Sequence, residues 1–140
     1  AVLRERQWDG RPRRPPSLEL ERVQLLTAIR STQREEVLRL YAARVAAAPT
    51  DGRAHYLHGL GLLEVGRLDA AAAALAAAQE HGFAAVGREL GRVRLRQRRI
   101  PEARTLLEEA VQEAPADPVA QHALGKVLEA AGDPAGALAA

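Results

Sequence analysis

The chain contains no cysteine and very few aromatic residues, with one Trp, one Phe and two Tyr among 140 residues. The absence of cysteine excludes disulfides, thiolate metal sites and a cysteine nucleophile, and it leaves the redox compartment open. Alanine and leucine supply most of the 47% apolar content. Because alanine has the highest helix propensity and allows helices to approach closely, this composition favours closely packed helices.

Long apolar segments are also missing. The longest apolar run, residues 70–78, is mostly alanine and falls well short of the ~20 residues that span a bilayer. Arg13-Arg14 is followed by Pro15-Pro16 and not by an apolar signal segment. We therefore expect no membrane insertion, and the cytoplasm is slightly favoured over the periplasm. The chain starts without Met and stops inside an apparent helix, so we expect a piece of a longer protein.

The positive charge is almost entirely arginine, since Lys126 is the only lysine, and the net charge is +2. Residues 1–50 carry +4, residues 51–83 carry −2, residues 84–117 carry +1 and residues 118–140 carry −1. A nucleic-acid-binding chain usually has a broader basic excess and aromatic residues for stacking, so this function ranks third. Abundant arginine and alanine are associated with GC-rich bacterial genomes.

Small residues recur at a fixed interval. Gly59, Gly91 and Gly125 follow one another at sequence intervals of 32 and 34, and Ala71, Ala103 and Ala137 repeat the same two intervals. Leu75 to Leu107 and Ala78 to Ala110 repeat the first of these intervals. Such a shared offset indicates a repeat architecture with units at residues 51–83, 84–117 and 118–140, the last of them truncated.

Each unit is predicted to hold two short helices. Gly66 and Gly82 act as left-handed helix stops, and the short links, of two to four residues, make neighbouring helices antiparallel. Asp117-Pro118 and Asp133-Pro134 give helix starts, with Asp as the cap and Pro in the first turn. The predicted helices cover residues 52–65, 69–81, 84–97, 101–114 and 118–131, with a further helix from Pro134 onward.

These markers together resemble the tetratricopeptide repeat (TPR), which has a Gly within the first helix, a turn Gly seven residues later and an Ala five residues after that. Unit one has Gly59, Gly66 and Ala71 at these positions, with Leu75 and Ala78 following. The resemblance covers residues 51–140 and implies an all-α, right-handed α-solenoid of antiparallel helix pairs. It also implies a scaffold that binds partner proteins in a concave groove lined by the first helix of each unit.

Three residues depart from the family pattern. Arg98 replaces the turn Gly of unit two, and His58 stands where the family prefers Leu. Arg94 replaces a large apolar residue. Two outcomes follow for unit two: looser packing, or an Arg94 whose stem lies along the core while its head stays in water.

The residues upstream are predicted to form another helix pair, at 18–30 and 33–48, within a segment spanning residues 18–50. One apolar face of the second helix is predicted to hold Val37, Leu40, Tyr41, Val45 and Ala48. This pair is either a degenerate repeat or a cap. Residues 1–17 are expected to be a Pro/Arg-rich linker, a reading much preferred over a ligand for a proline-recognition domain.

An arginine cluster at residues 88–99 is the main candidate site. Arg88, Arg92 and Arg96 are four residues apart and share one helix face. The resemblance places this face in the groove, with Tyr56 and His122 beside Arg88, and Leu60 and Lys126 beside Arg92. The cluster is either a groove that grips an acidic or C-terminal segment of a partner or a solvated face balanced by Glu108, Glu109 and Glu113.

Other chemistry finds little support in the sequence. A chaperone carboxylate clamp would need Lys and Asn where the chain has Tyr56 and Leu60, and the sequence contains no Asn. His55 and His58 have a spacing that can hold a metal, but ordinary packing is the expectation. Ser17 and Ser31 are the only serines and neither sits in a strand-to-helix elbow. We expect no catalytic residue, no metal, no cofactor and no small-molecule substrate in this chain.

The sequence therefore predicts a protein–protein interaction scaffold that binds a partner segment, an acidic one if the arginine face lines the concave groove. The alternative is the repeat appendage of a larger enzyme, which would hold the substrate or position partners. Nucleic-acid binding through the arginine-rich helix is the third interpretation.

Overall fold

A computed structural model describes residues 17–132. Two predicted features lie outside this range: residues 1–16 of the Pro/Arg-rich linker, and the helix start at Asp133-Pro134. The described residues form seven α-helices and no strand. The helices are α1 (Leu18–Ile29), α2 (Arg34–Ala47), α3 (Gly52–Glu64), α4 (Leu68–Glu80), α5 (Gly87–Arg96), α6 (Ile100–Glu113) and α7 (Pro118–Ala130).

The helices stack in two layers. Each even-numbered helix packs against the helix before it and the helix after it, while α1, α3, α5 and α7 also contact one another in sequence. We call α1, α3, α5 and α7 the first-helix row. This arrangement confirms the predicted all-α solenoid of antiparallel helix pairs. One apolar cluster runs from α1 to α5, where it includes Val93, and a second joins α6 and α7.

Helices start or end as predicted at Asp117, Gly66 and Gly82, and Asp51 and Gly132 act in the same way. Asp51 caps α3 by accepting the amide of Arg53 at 3.0 Å, and Asp117 caps α7 by accepting the amide of Val119 at 3.0 Å. Gly66, Gly82 and Gly132 adopt φ angles of +84°, +87° and +80°, so each provides the left-handed turn that ends a helix.

The repeat register is visible in two matched contacts. A Cβ added to Gly59 would lie 2.9 Å from Cγ of Leu75, and one added to Gly91 would lie 2.6 Å from Cγ of Leu107. Both pairs have the same sequence spacing, so the first and second helices of units one and two meet at equivalent points. The third marker, Gly125, lies on α7.

Two sequence predictions are wrong in detail. Helix α5 begins at Gly87 and not at residue 84, since residues 85–86 form a turn in which Val86 N donates to Ala84 O at 2.9 Å. On α2 the buried residues are Leu38 and the predicted Tyr41, whereas Leu40, also predicted on the apolar face, is 60% exposed. The apolar face of α2 is therefore rotated toward α3, where Leu38 lies beside Gly61.

The upstream pair α1 and α2 packs like the units that follow it. The starts of α1 and α3 are one repeat interval apart, and the starts of α2 and α4 are separated by the same interval. Helix α1 contacts α2 and α3, as α3 contacts α4 and α5. A buried Glu21 on α1 joins the pair to unit one, because Arg44 of α2 and Arg53 of α3 reach its carboxylate at 2.8 and 2.6 Å.

Arg94 follows the second of its two predicted outcomes. Its side chain is 23% exposed, and its guanidinium donates to Oε1 of Gln97 at 2.8 Å and lies 3.4 Å from a carboxylate oxygen of Glu102. The stem therefore covers part of the core while the head binds polar groups at the surface.

Arg98 occupies the position of the turn Gly and adopts φ +64°, which is unfavourable for a residue with a Cβ. The surrounding turn keeps the same type of hydrogen bond as in unit one, since Arg99 N donates to Arg94 O at 2.8 Å as Arg67 N donates to Leu62 O at 2.9 Å.

We expect Arg98→Gly to stabilise the protein by about 1 kcal/mol, measured by urea unfolding. Arg99→Gly is the control and should not stabilise it. A less stable Arg98→Gly protein would contradict the strained turn.

Candidate functional site

The predicted groove residues all lie on the first-helix row, with Tyr56 and Leu60 on α3, the three arginines on α5, and His122 and Lys126 on α7. Their exposure differs sharply. Lys126 and His122 are exposed, whereas Tyr56 and Leu60 are 3% and 1% exposed. The expectation that Tyr56 and Leu60 offer an apolar surface to a partner must therefore be corrected: Leu60 belongs to the core cluster, and Tyr56 stacks on Phe83 with ring centroids 4.4 Å apart.

The buried end of the row is organised around Glu89, which is only 1% exposed. Its Oε1 accepts hydrogen bonds from the Tyr56 hydroxyl at 2.8 Å and from Nε and Nη2 of Arg88 at 3.0 and 2.6 Å. Nη2 of Arg22 on α1 lies 3.8 Å from the same oxygen. A buried carboxylate is stable only when it is paired and hydrogen-bonded, and these three side chains supply that environment.

Arg88 extends this network to α7. Its Nη1 donates to Oδ2 of Asp117 at 2.9 Å, so Asp117 both caps α7 and binds Arg88. Burial opposes the charge on Arg88, but Glu89 and then Asp117 outweigh it and raise the pKa of the guanidinium. Burial likewise opposes ionisation of Asp117, yet the Arg88 hydrogen bond and charge hold the pKa of this carboxyl below its usual value.

Tyr56 serves this network as a hydrogen-bond donor. Burial, and then the nearby charge of Glu89, raise the pKa of the Tyr56 hydroxyl, which therefore keeps its proton. Through these contacts α1, α3, α5 and α7 share one polar cluster, which we call the Glu89 network: Arg22, Tyr56, Arg88, Glu89 and Asp117.

Arg92 and Arg96 bind the C-terminal end of α3. Nη2 of Arg92 lies 3.2 Å from Oε1 of Glu64, and Nη1 of Arg96 donates to the carbonyl oxygen of Leu63 at 2.7 Å. A cation at the C-terminus of a helix interacts favourably with its dipole. Of the two, only Arg92 has a carboxylate partner, so the positive charge of Arg96 is not neutralised by another side chain in residues 17–132.

A cavity of about 350 Å³ lies beside the Glu89 network, between the start of α5 and the second half of α6. Phe83 and Leu106 give it apolar walls, and Glu109 and Glu113 add two carboxylates that form no ion pair within the described part of the chain. The full lining contains four carboxylates and two arginines, so an acidic side chain does not suit this cavity.

The histidines pack and do not gather into a metal site. His55 donates to the carbonyl oxygen of Pro49 across 2.7 Å and stacks on His81 with centroids 5.3 Å apart. Burial, and then the neighbouring His55, lower the pKa of His58. Residues 17–132 contain no group of three His, Cys, Asp or Glu side chains that could hold a metal ion. Within the same residues no helix is long and apolar enough to cross a membrane.

Sequence reasoning missed Glu89, Arg22 and Asp117 as members of one cluster. The available signal was the repeat itself, since Glu89 occupies the position of Leu57, which is fully buried in unit one. A carboxylate in a core position requires buried partners. Those partners could not be identified from the sequence, because the cluster joins four helices that only the fold brings together.

Comparison with known proteins agrees with the architecture. A family model for the tetratricopeptide repeat matches residues 84–127, which include Gly91, Leu107 and Gly125. The solved structure of the MamA RS-1 ArsTM double mutant resembles this chain with a TM-score of 0.70 and 22% sequence identity, over 87% of this chain and 71% of that chain. No curated protein matches the sequence. Residues 84–127 therefore match the tetratricopeptide repeat, and the helix pairs of residues 17–132 have a fold similar to that of this solved structure.

Proposed function

We propose that this protein-interaction scaffold binds an acidic segment of a partner protein along the first-helix row, at the end formed by Arg92, Arg96 and Lys126. The fold supports the general role, because tetratricopeptide repeats bind proteins. The charges support the acidic partner. Of the four cations Arg88, Arg92, Arg96 and Lys126 on α5 and α7, only Arg88 and Arg92 have carboxylate partners in residues 17–132, and these are Glu64, Glu89 and Asp117.

The surplus charge is concentrated away from the Glu89 network. The carboxylates of Glu89 and Asp117 form ion pairs with Arg88, and that of Glu64 forms one with Arg92. Arg96 is exposed and already oriented by the Leu63 carbonyl, and Lys126 is exposed with no carboxylate partner in the described chain. The Arg96 guanidinium is the observation that carries the proposal, because its charge is held in place and remains open to a carboxylate. A held guanidinium loses less entropy when it binds.

The acidic cavity gives the partner an orientation. Acidic residues would lie at the C-terminal ends of α3 and α5, and the part of the segment nearest Glu109 and Glu113 would be neutral or basic. Charge complementarity of this kind sets the binding direction as well as the rate of association.

The test uses fluorescein-labelled peptides with Glu at every fourth position, and the same peptides with Gln, in fluorescence anisotropy. We expect the Glu peptide to bind more tightly, and Arg96→Glu with Lys126→Glu to weaken it roughly tenfold, equivalent to about 1.4 kcal/mol. Arg39→Glu is the matched control, since Arg39 is an exposed arginine on α2. Equal binding of the Gln peptide, an equal loss in the control, or stronger binding of single-stranded DNA would overturn the proposal.

A further inference from the structure

Helix α5 is shorter at its start than the first helices of the units on either side. Helices α3 and α7 each have 13 residues, whereas α5 has 10. The repeat interval of 32 residues places Ala84 at the position of Gly52, the first residue of α3. Helix α5 nevertheless begins only at Gly87, so residues 84–86 do not form the helical turn that unit one has at this place.

The missing turn accounts for the cavity beside the Glu89 network. In unit one Gly52 packs on the end of α4, where its added Cβ would lie 3.0 Å from the carbonyl oxygen of Ala78. The counterpart of Ala78 in unit two is Ala110, which lines the cavity. At the start of α5, a Cβ added to Gly87 would meet only the carbonyl oxygen of Leu106, at 3.8 Å. The cavity therefore takes the place that the first turn of α5 would fill.

The carboxylates around this cavity leave it short of positive charge. Glu109 and Glu113 are four residues apart on α6, both line the cavity, and like charges at this spacing repel each other. Glu89 also lines it and is 1% exposed, yet every hydrogen bond that its carboxylate accepts within residues 17–132 ends on Oε1. A buried carboxylate oxygen without a donor is costly, so Oε2 of Glu89 favours a ligand that donates hydrogen bonds.

The cavity suits an organic cation better than a metal ion. Within residues 17–132 no three His, Cys, Asp or Glu side chains gather closely enough to hold a metal. A guanidinium presents five N–H donors in a planar fork, so it can reach carboxylates that lie further apart. The volume of about 350 Å³ is near the lower end of the ~300–1,000 Å³ typical of ligand pockets, which fits one long side chain.

We propose that the cavity binds an arginine side chain of the partner segment. Its guanidinium pairs with the carboxylates of Glu109 and Glu113 and donates to Oε2 of Glu89. Its apolar stem packs on Phe83, whose ring is held by stacking on Tyr56 with centroids 4.4 Å apart. This site rests on the proposed function, because its occupant belongs to the segment whose acidic residues lie at the other end of α5.

The two ends of α5 set the spacing that the partner needs. Arg88, which lines the cavity, and Arg96 are eight residues apart, or roughly 12 Å along the helix axis at ~1.5 Å per residue. An extended peptide covers that distance in about four residues at ~3.3 Å each. The partner segment therefore has its arginine about four residues from the acidic residue that binds Arg96.

The test uses fluorescein-labelled Glu peptides in fluorescence anisotropy, with either arginine or its neutral isostere citrulline four residues beyond the last Glu, at each end in turn. We expect arginine to bind about tenfold more tightly than citrulline, the effect of one charged hydrogen bond. Glu109→Gln with Glu113→Gln should abolish this preference. Glu36→Gln with Glu80→Gln is the matched control, since both residues are exposed and lie outside the cavity lining, and it should keep the preference.

A second pair of peptides, with Gln in place of every Glu, separates this site from the proposed function. A preference for arginine in both pairs that requires Glu109 and Glu113 supports the site, even if the Glu and Gln peptides bind equally. If the Glu peptides bind more tightly than the Gln peptides but arginine has no advantage over citrulline, the proposed function stands and the arginine site is wrong. A preference that survives Glu109→Gln with Glu113→Gln would also overturn it, because the arginine would then bind elsewhere.

Discussion

Replacing Gly52 with alanine is expected to destabilise the protein by about 1–3 kcal/mol, because the new methyl group has no room. Gly52 is the first residue of α3 and packs against the end of α4. Its added Cβ would lie 2.8 Å from the carbonyl oxygen of His81 and 3.0 Å from that of Ala78. Both atoms belong to the backbone, so relief requires α3 and α4 to separate, and this would loosen the packing of unit one.

Gly87 provides the control, since it is the first residue of α5 and has the same place in its helix. A Cβ at Gly87 would meet only the carbonyl oxygen of Leu106, at an ordinary 3.8 Å. Gly87→Ala should therefore be neutral or stabilise the protein by about 0.4–1 kcal/mol through the unfolded chain. Urea unfolding of both variants gives the comparison. If the two variants are equally stable, the contact between α3 and α4 accommodates the added methyl group at little cost, and the prediction is wrong.

The helices could be predicted from the sequence to within three residues because the repeat supplies several independent markers. Gly59 and Gly91 fix where helices meet, Gly66 and Gly82 fix where they stop, and Asp117 fixes a start. Each of these residues acts through its own local chemistry or through one contact repeated at a constant offset. The exposure of Leu40 could not be predicted in this way. The buried face of α2 is set by its contact with α3, and the spacing of apolar residues within α2 alone does not show that contact.

The candidate site was harder to predict than the fold. The spacing of Arg88, Arg92 and Arg96 correctly indicates a shared helix, but it gives no information on the acceptors. Glu64, Asp117 and the Leu63 carbonyl come from other elements and take up much of the arginine charge. A count of charges along the sequence treats these groups as independent, whereas the fold pairs them. Of Arg88, Arg92 and Arg96, Arg96 alone has no carboxylate partner within residues 17–132, so on this face the open charge is that of Arg96 together with Lys126 of α7.

The Glu89 network changes how the repeats depend on one another. In a simple repeat array each unit contacts only its neighbours, so its stability is a sum of local terms. Here one carboxylate is shared by side chains of α1, α3 and α5, and Arg88 carries the connection to α7. We therefore expect the loss of Glu89 to weaken several units together and not unit two alone.

Glu89→Ala is accordingly expected to cost about 3 kcal/mol, because it leaves the partners of a buried carboxylate unsatisfied. The Tyr56 hydroxyl would lose its acceptor inside the core, and Arg88 would keep only Asp117. Glu108→Ala is the matched control: Glu108 is exposed on α6, 3.6 Å from Arg104, and its removal should cost at most about 0.5 kcal/mol. Urea unfolding measures both changes.

Two further variants separate the polar network from simple cavity formation. Glu89→Leu restores the volume with the residue that unit one has at Leu57, but it leaves the Tyr56 hydroxyl without an acceptor. We expect it to remain destabilised by about 1–3 kcal/mol, and adding Tyr56→Phe should recover part of that loss by removing the stranded hydroxyl. If Glu89→Leu alone is as stable as the parent, the hydrogen bonds of Glu89 add nothing to the free energy of unfolding beyond what packing of a side chain of that volume gives. If the two changes are instead additive, the Tyr56–Glu89 hydrogen bond carries no energy of its own.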